Sequence, residues 1–237
     1  MIDLNQDVVA QPLVGQTKNM SRETPGKPVS DEALMAILEG LTACYRMRVE
    51  KRFRELIADS STKDNLAVVA TFIHSWFQSW RMRQKGMNRG MMLIGGVGNG
   101  KTTMMRAIGD YIGVLLGSTN RYVSYSECEP VFYKAKDIAS IIARGNDQEF
   151  EDIKRASVLL IDDMGAEPVE VVIYGMPIHP LQDVLEYRYD HMLPTFITSN
   201  LRLNELFGKN GRYPDERLFD RVKEIFEIRT FKGGSYR

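Results

Sequence analysis

The segment Met91-Met92-Leu93-Ile94-Gly95-Gly96-Val97-Gly98-Asn99-Gly100-Lys101-Thr102 joins four apolar residues to a glycine-rich loop. The loop fits GxxxxGK[ST], and it lies between a predicted strand and a predicted helix, as a phosphate-binding loop must. Glycines allow the backbone to curl so that successive N–H groups face one anion, and the following helix N-terminus adds its partial positive charge. The expectation is that Gly95, Gly96, Val97, Gly98, Asn99, Gly100, Lys101, Thr102 and Thr103 hold the phosphates of ATP. Lys101 then reaches the β- and γ-phosphates, and the Thr102 hydroxyl ligates Mg²⁺.

Downstream of this loop, short apolar runs alternate with helical periodicity, which predicts βαβ units and an α/β fold. Strands are expected at 91–95, 121–126, 157–162, 194–199 and 226–231. Helices are expected at 101–117, at 135–154 with a break near Gly145, and at 180–191, 203–208 and 214–224. The run Ser157-Val158-Leu159-Leu160-Ile161 ends in Asp162-Asp163. A buried parallel strand of this kind delivers carboxylates to the C-terminal edge of the sheet. Asp162 is expected to hold Mg²⁺ through its water shell, and Asp163 to polarise the water that attacks the γ-phosphate. Aspartate at the second position stands farther from that water than glutamate would, so slow hydrolysis is expected.

Upstream, residues 1–29 are polar, carry Pro12, Pro25 and Pro28, and read as a flexible arm. Ser30 suits a helix N-cap, with Asp31 and Glu32 in the first turn. Leu34, Ile37, Leu38, Leu41, Tyr45, Val49, Phe53 and Leu56 then recur at helical spacing, predicting a buried face. Asp59-Ser60-Ser61-Thr62 interrupts the pattern. A second helix carries Leu66, Val69, Phe72, Ile73, Trp76, Phe77 and Trp80 on one side, which reads as core rather than as a base-stacking platform. Arg81, Arg83, Lys85 and Arg89 form a basic turn read as a linker. The expected organisation is an arm at 1–29, a helical extension at 30–83 and a nucleotide-binding domain at 84–237.

Lysine plus arginine equal aspartate plus glutamate at 31 each among 237 residues, so no global basic field drives nucleic-acid binding. The two cysteines, Cys44 and Cys128, lack the spacing of a zinc site or a disulfide framework. Neither an export signal nor a membrane span is legible, and a cytoplasmic location with no membrane partner is expected.

Thr195-Phe196-Ile197-Thr198-Ser199-Asn200-Leu201 is a further apolar strand ending in polar residues. It combines with Ile161-Asp162-Asp163-Met164-Gly165, Arg188-Tyr189, Asp220-Arg221-Val222 and Gly234-Ser235-Tyr236-Arg237. In order and spacing these pieces resemble the DnaC/IstB branch of the AAA+ ATPases, from about Asn65 to Arg237. The resemblance implies a P-loop NTPase fold with a Rossmann-like, five-stranded parallel sheet flanked by helices. It also implies no large C-terminal lid, since only a short segment follows Asn200. Asn200 matches the sensor-1 position, Arg221 matches the arginine finger, and Arg237 falls where the family's terminal Ser-Tyr-Arg approaches nucleotide. A finger supplied by a neighbouring subunit implies a homo-oligomer when ATP is bound and turnover stimulated by assembly or DNA. The implied roles are a DnaC-type helicase loader, with a replicative helicase and single-stranded DNA as partners, or an IstB-type transposition helper that recruits a transposase. A small-molecule kinase also carries a phosphate-binding loop, but that reading leaves Asn200 and Arg221 without a role.

Lys134, Lys136, Arg144, Lys154 and Arg155 lie where the initiator and loader clade inserts a helix and are candidates to line a pore for DNA, offset by Glu149, Glu151 and Asp152. His74, His179 and His191 read as packing or surface residues. The segment from Pro168 to Pro180 has no counterpart in this scheme.

Overall fold

Strands whose residues are apolar on both faces must be covered on both sides, and a parallel sheet between two helical layers meets that need. The computed structural model describes residues 31–52, 54–81, 90–119 and 129–236. Helices α1 (Asp31–Glu50) and α2 (Ser60–Arg81) precede β1 (Gly90–Ile94) and α3 (Lys101–Thr119). Next come β2 (Val131–Lys134), α4 (Ala135–Ala143), α5 (Asp147–Arg155) and β3 (Leu159–Met164). The hairpin strands β4 (Val171–Ile173) and β5 (Met176–Ile178) lead into α6 (Pro180–Asp190) and β6 (Thr195–Ser199). The order ends with α7 (Leu203–Leu206), α8 (Glu216–Ile225) and β7 (Phe226–Thr230).

Five strands form one parallel sheet in the order β2-β3-β6-β1-β7. Side chains alternate across it. Met91, Leu93, Leu160 and Phe196 point into a cluster shared with α1, α2 and α3. Met92, Leu159, Ile161 and Ile197 point into a second cluster with α4, α5, α6 and α8. The edge strand beside β3 is Val131–Lys134, a stretch not anticipated as a strand, with three half-buried residues and an exposed lysine. The expected strand 121–126, Cys128, Phe53, Arg83, Lys85, Arg89, the 1–29 arm and Arg237 lie outside the described residues. The other four anticipated strands are present within a few residues of the expected bounds.

The aromatic face of α2 is core. Phe72 and Trp76 both pack edge-on against Phe196 of β6, with ring centroids 5.9 and 6.1 Å apart. Asp59 caps α2 by accepting from the Thr62 amide at 2.7 Å. Gly145 breaks the anticipated long helix at φ 70°, and Asn146 caps α5 through the Glu149 amide. The segment from Pro168 to Pro180 holds a β-hairpin with a two-residue turn. Tyr174 and Gly175 both have positive φ, as a type I′ turn requires, and Val171 pairs with Ile178. Val171 and Ile173 pack on the second cluster, while Val172, Met176 and a fully exposed Tyr174 face outward.

Arg188 is buried in α6 with no acidic partner among the described residues. Its Nε donates to Thr195 Oγ1 at 2.7 Å, and its terminal nitrogens donate to the carbonyls of Lys154, Ala156 and Pro194 at 3.0, 2.7 and 2.6 Å. The guanidinium therefore ties the end of α5 to the start of β6. No helix among the described residues is long and apolar enough to cross a membrane.

Candidate nucleotide site

In a parallel sheet the loops leaving the C-terminal ends of neighbouring strands meet along one edge. Here β1, β6 and β3 are adjacent, so the glycine-rich loop, Asn200 and the Asp162-Asp163 pair converge. A cavity of about 780 Å³ opens at that edge. Its lining includes Gly98 to Thr103, Asp162, Asp163 and Asn200, together with Tyr45, Val49, Arg54, Leu56, Ile57 and Tyr236.

The loop has the backbone that its glycines permit. Gly98 and Gly100 have φ of 89° and 93°, in the left-handed region. A Cβ on Gly98 would lie 2.4 Å from Ser235 Oγ, and one on Gly100 would lie 2.8 Å from the Tyr45 hydroxyl. The buried Lys101 ammonium donates to the carbonyls of Gly95 and Gly96 at 2.8 and 2.7 Å, and to Asn200 Oδ1 at 2.9 Å. Asn99 donates to the Phe231 carbonyl at 2.9 Å, and the Tyr236 amide donates to the Gly98 carbonyl at 3.1 Å. The C-terminal segment is thus laid against the loop. Tyr236 also bonds to Asp59 Oδ2 at 2.9 Å, which links the loop to the start of α2.

Successive residues of a strand point to opposite faces, which would separate two adjacent aspartates. The β3–β6 register shifts between Ile161 and Met164, and Asp163 adopts φ 57°. This irregularity brings both carboxylates to the same edge. Asp162 is buried, and its Oδ1 accepts from Thr102 Oγ1 at 3.0 Å and from Thr198 Oγ1 at 2.6 Å. Thr198 in turn accepts from the Asp163 amide at 2.9 Å. Asp163 is half-buried and accepts from Asn200 Nδ2 at 3.1 Å. Thr102 and Asp162 present a hydroxyl and a carboxylate oxygen side by side, a donor set suited to a hard divalent cation such as Mg²⁺.

The remaining anticipated residues are elsewhere. Arg221 on α8 stacks over the Tyr189 ring at 5.0 Å and faces Glu186 and Asp190 at 3.8 and 3.9 Å, not the acidic residues of its own helix. Arg217 is exposed one turn earlier, beside Gln182, Asp215 and Glu216, and neither arginine lines the large cavity. Of the basic residues considered for a DNA pore, Lys154 and Arg155 both pair with Glu151, and Arg144 Nε donates to the Ser140 carbonyl. Lys134 instead lines the large cavity. Sequence reasoning gave no site role to Thr198, Tyr45, Arg54, Arg106 or Tyr236. The hydroxyl at the end of β6 was the legible signal for Thr198, while the others are brought in by tertiary packing.

The architecture, a five-stranded parallel sheet between helical layers with a glycine-rich loop after β1, is of the P-loop type. Three solved structures share it: a candidate primosome component from Streptococcus pyogenes serotype M3, DnaI, and the DnaC helicase loader. Their TM-scores are 0.54, 0.57 and 0.52, with identities of 23%, 18% and 19%. The alignments cover 77%, 85% and 75% of this chain and 85%, 93% and 93% of the others, respectively. At these identities the likeness is one of fold. No protein-family model and no curated protein matches the sequence.

Proposed function

We propose that this chain binds ATP with Mg²⁺ at the C-terminal edge of its sheet, hydrolyses it slowly as an oligomer, and serves as a helicase loader acting on single-stranded DNA. The observation that carries the ATPase reading is the convergence of Lys101, Thr102, Asp162, Asp163 and Asn200 at one cavity. In this reading the loop amides and Lys101 hold the β- and γ-phosphates, with Thr103 and Arg237 as further nucleotide contacts. Thr102 and Asp162 would hold the cation, which would supply charge neutralisation at the phosphates. Asp163 takes the proton of the attacking water, and Asn200 orients that carboxylate. An α8 arginine from a neighbouring copy then meets the charge developing on the γ-phosphate. The loader reading is supported by the likeness in fold to the DnaC helicase loader and DnaI over most of each chain.

Two measurements test this. ATP binding followed by calorimetry should be lost in Lys101→Ala; equal affinity in the variant and the native chain would overturn the phosphate-site assignment. Asp163→Asn, held in ATP and used as bait in host extract, should retain a hexameric helicase. Retention of a transposase instead would replace the loader reading with a transposition role.

A further inference from the structure

Glu167 is completely buried just beyond the two site aspartates, and the hydrolytic scheme leaves it without a role. A buried carboxylate is maintained only where hydrogen bonds replace its lost hydration. Its Oε2 accepts from the Gly165 amide at 2.8 Å, and its Oε1 accepts from the Tyr213 hydroxyl. Arg212 donates to its backbone carbonyl. These contacts pin a tight turn at Gly165 and at its exit, Glu167. Within that turn the Ala166 amide donates to the Asp163 carbonyl at 3.1 Å, Gly165 has φ 101°, and Ser199 Oγ donates to the Met164 carbonyl at 2.6 Å.

The turn's other partner, Tyr213, leads directly into α8. Its amide donates to the Leu206 carbonyl at 2.7 Å, and two residues later Asp215 caps α8 by accepting from the Arg217 and Leu218 amides at 2.8 and 3.2 Å. Gln182 of α6 holds the second oxygen of Asp215 at 2.9 Å. An unbroken run of hydrogen bonds and short covalent steps therefore joins Asn200 and Asp163 to the helix bearing Arg217 and Arg221.

We infer that Glu167 is a positioning residue for hydrolysis, fixing the turn that aims Asp163 and, through Tyr213, binding that turn to the N-terminus of α8. The carboxylate serving this chain's own nucleotide and the arginines offered to a neighbour's nucleotide then move as one body. This inference rests on the ATPase reading.

The test compares Tyr213→Phe, Glu167→Ala and Glu167→Gln in the full chain, measuring nucleotide Kd, kcat and KM with single-stranded DNA present. Glutamine can still accept from Gly165 and can donate to the Tyr213 oxygen, so it should rescue. Tyr213→Phe is expected to bind nucleotide within about twofold of the native affinity while kcat falls about tenfold, and Glu167→Gln should stay within about threefold of native kcat. An unchanged kcat in Tyr213→Phe would overturn the inference, as would Glu167→Gln proving as defective as Glu167→Ala. If Glu167→Ala does not fold, Tyr213→Phe and Glu167→Gln decide between them. Absence of ATP turnover in the native chain would instead overturn the ATPase reading itself.

Discussion

The side-chain amide of Asn200 donates to Oδ1 of Asp163 at 3.1 Å, joining the end of β6 to the end of β3. The same side chain accepts from the Lys101 ammonium at 2.9 Å, so one residue touches both the carboxylate proposed to activate water and the cation proposed to meet the γ-phosphate. Asn200→Ala should lower kcat about 10- to 100-fold, by analogy with removal of one preorganised polar group, with a much smaller change in nucleotide affinity. Steady-state turnover measured beside equilibrium nucleotide binding checks this. A proportional loss in both would place Asn200 in binding rather than in the hydrolytic step.

Gly98 cannot gain a side chain without cost. Its φ of 89° and the 2.4 Å that would separate an added Cβ from Ser235 Oγ act together. Gly98→Ala should cost about 1 kcal/mol or more from the left-handed backbone alone and weaken ATP binding by displacing the loop. Thermal denaturation with and without ATP reads both effects, and the stabilisation by ATP should shrink or vanish.

Arg188 offers a purely structural contrast. Arg188→Met leaves the carbonyls of Lys154, Ala156 and Pro194 without their donor. The expected loss is about 2–4 kcal/mol in urea unfolding, since each buried acceptor deprived of its bond costs about 1–3 kcal/mol and some will recover water. Activity per folded molecule should hold, because Arg188 does not line the proposed nucleotide cavity.

Trp76 separates packing from nucleic-acid recognition. With its ring against Phe196 and almost no exposure, Trp76→Ala should destabilise by about 3–5 kcal/mol. Single-stranded DNA affinity of the folded fraction should be unaltered, and a selective loss of DNA binding at full stability would restore the stacking idea.

The two arginines of α8 are distinguished by their surroundings. Arg221 is engaged with Tyr189, Glu186 and Asp190, whereas Arg217 is exposed one turn earlier. If the finger is Arg221, Arg221→Ala should abolish stimulated turnover and be complemented by mixing with Lys101→Ala chains, because each defective copy then supplies what the other lacks. Complementation by Arg217→Ala alone would transfer the role to Arg217.

The amino-acid sequence alone carried the glycine-rich loop between a strand and a helix, because its glycines, lysine and threonine act through local backbone geometry. The apolar runs of β1, β3 and β6 were equally legible, since strands buried on both faces are continuous in hydrophobicity. β2 was not, because an edge strand with half-buried residues gives no such run. The hairpin in the 168–180 segment was also not anticipated, although alternation and Tyr174-Gly175 were its local signals. Only the tertiary structure could show Asp162 and Asp163 lining one cavity, with Asp163 turned to φ 57° beside a register irregularity against β6. It alone gave Arg221 partners on α6, laid Tyr236 across the glycine-rich loop and buried Glu167 against Tyr213. Each of these contacts joins residues far apart along the chain, and no local pattern encodes which distant side chain will be there to meet them.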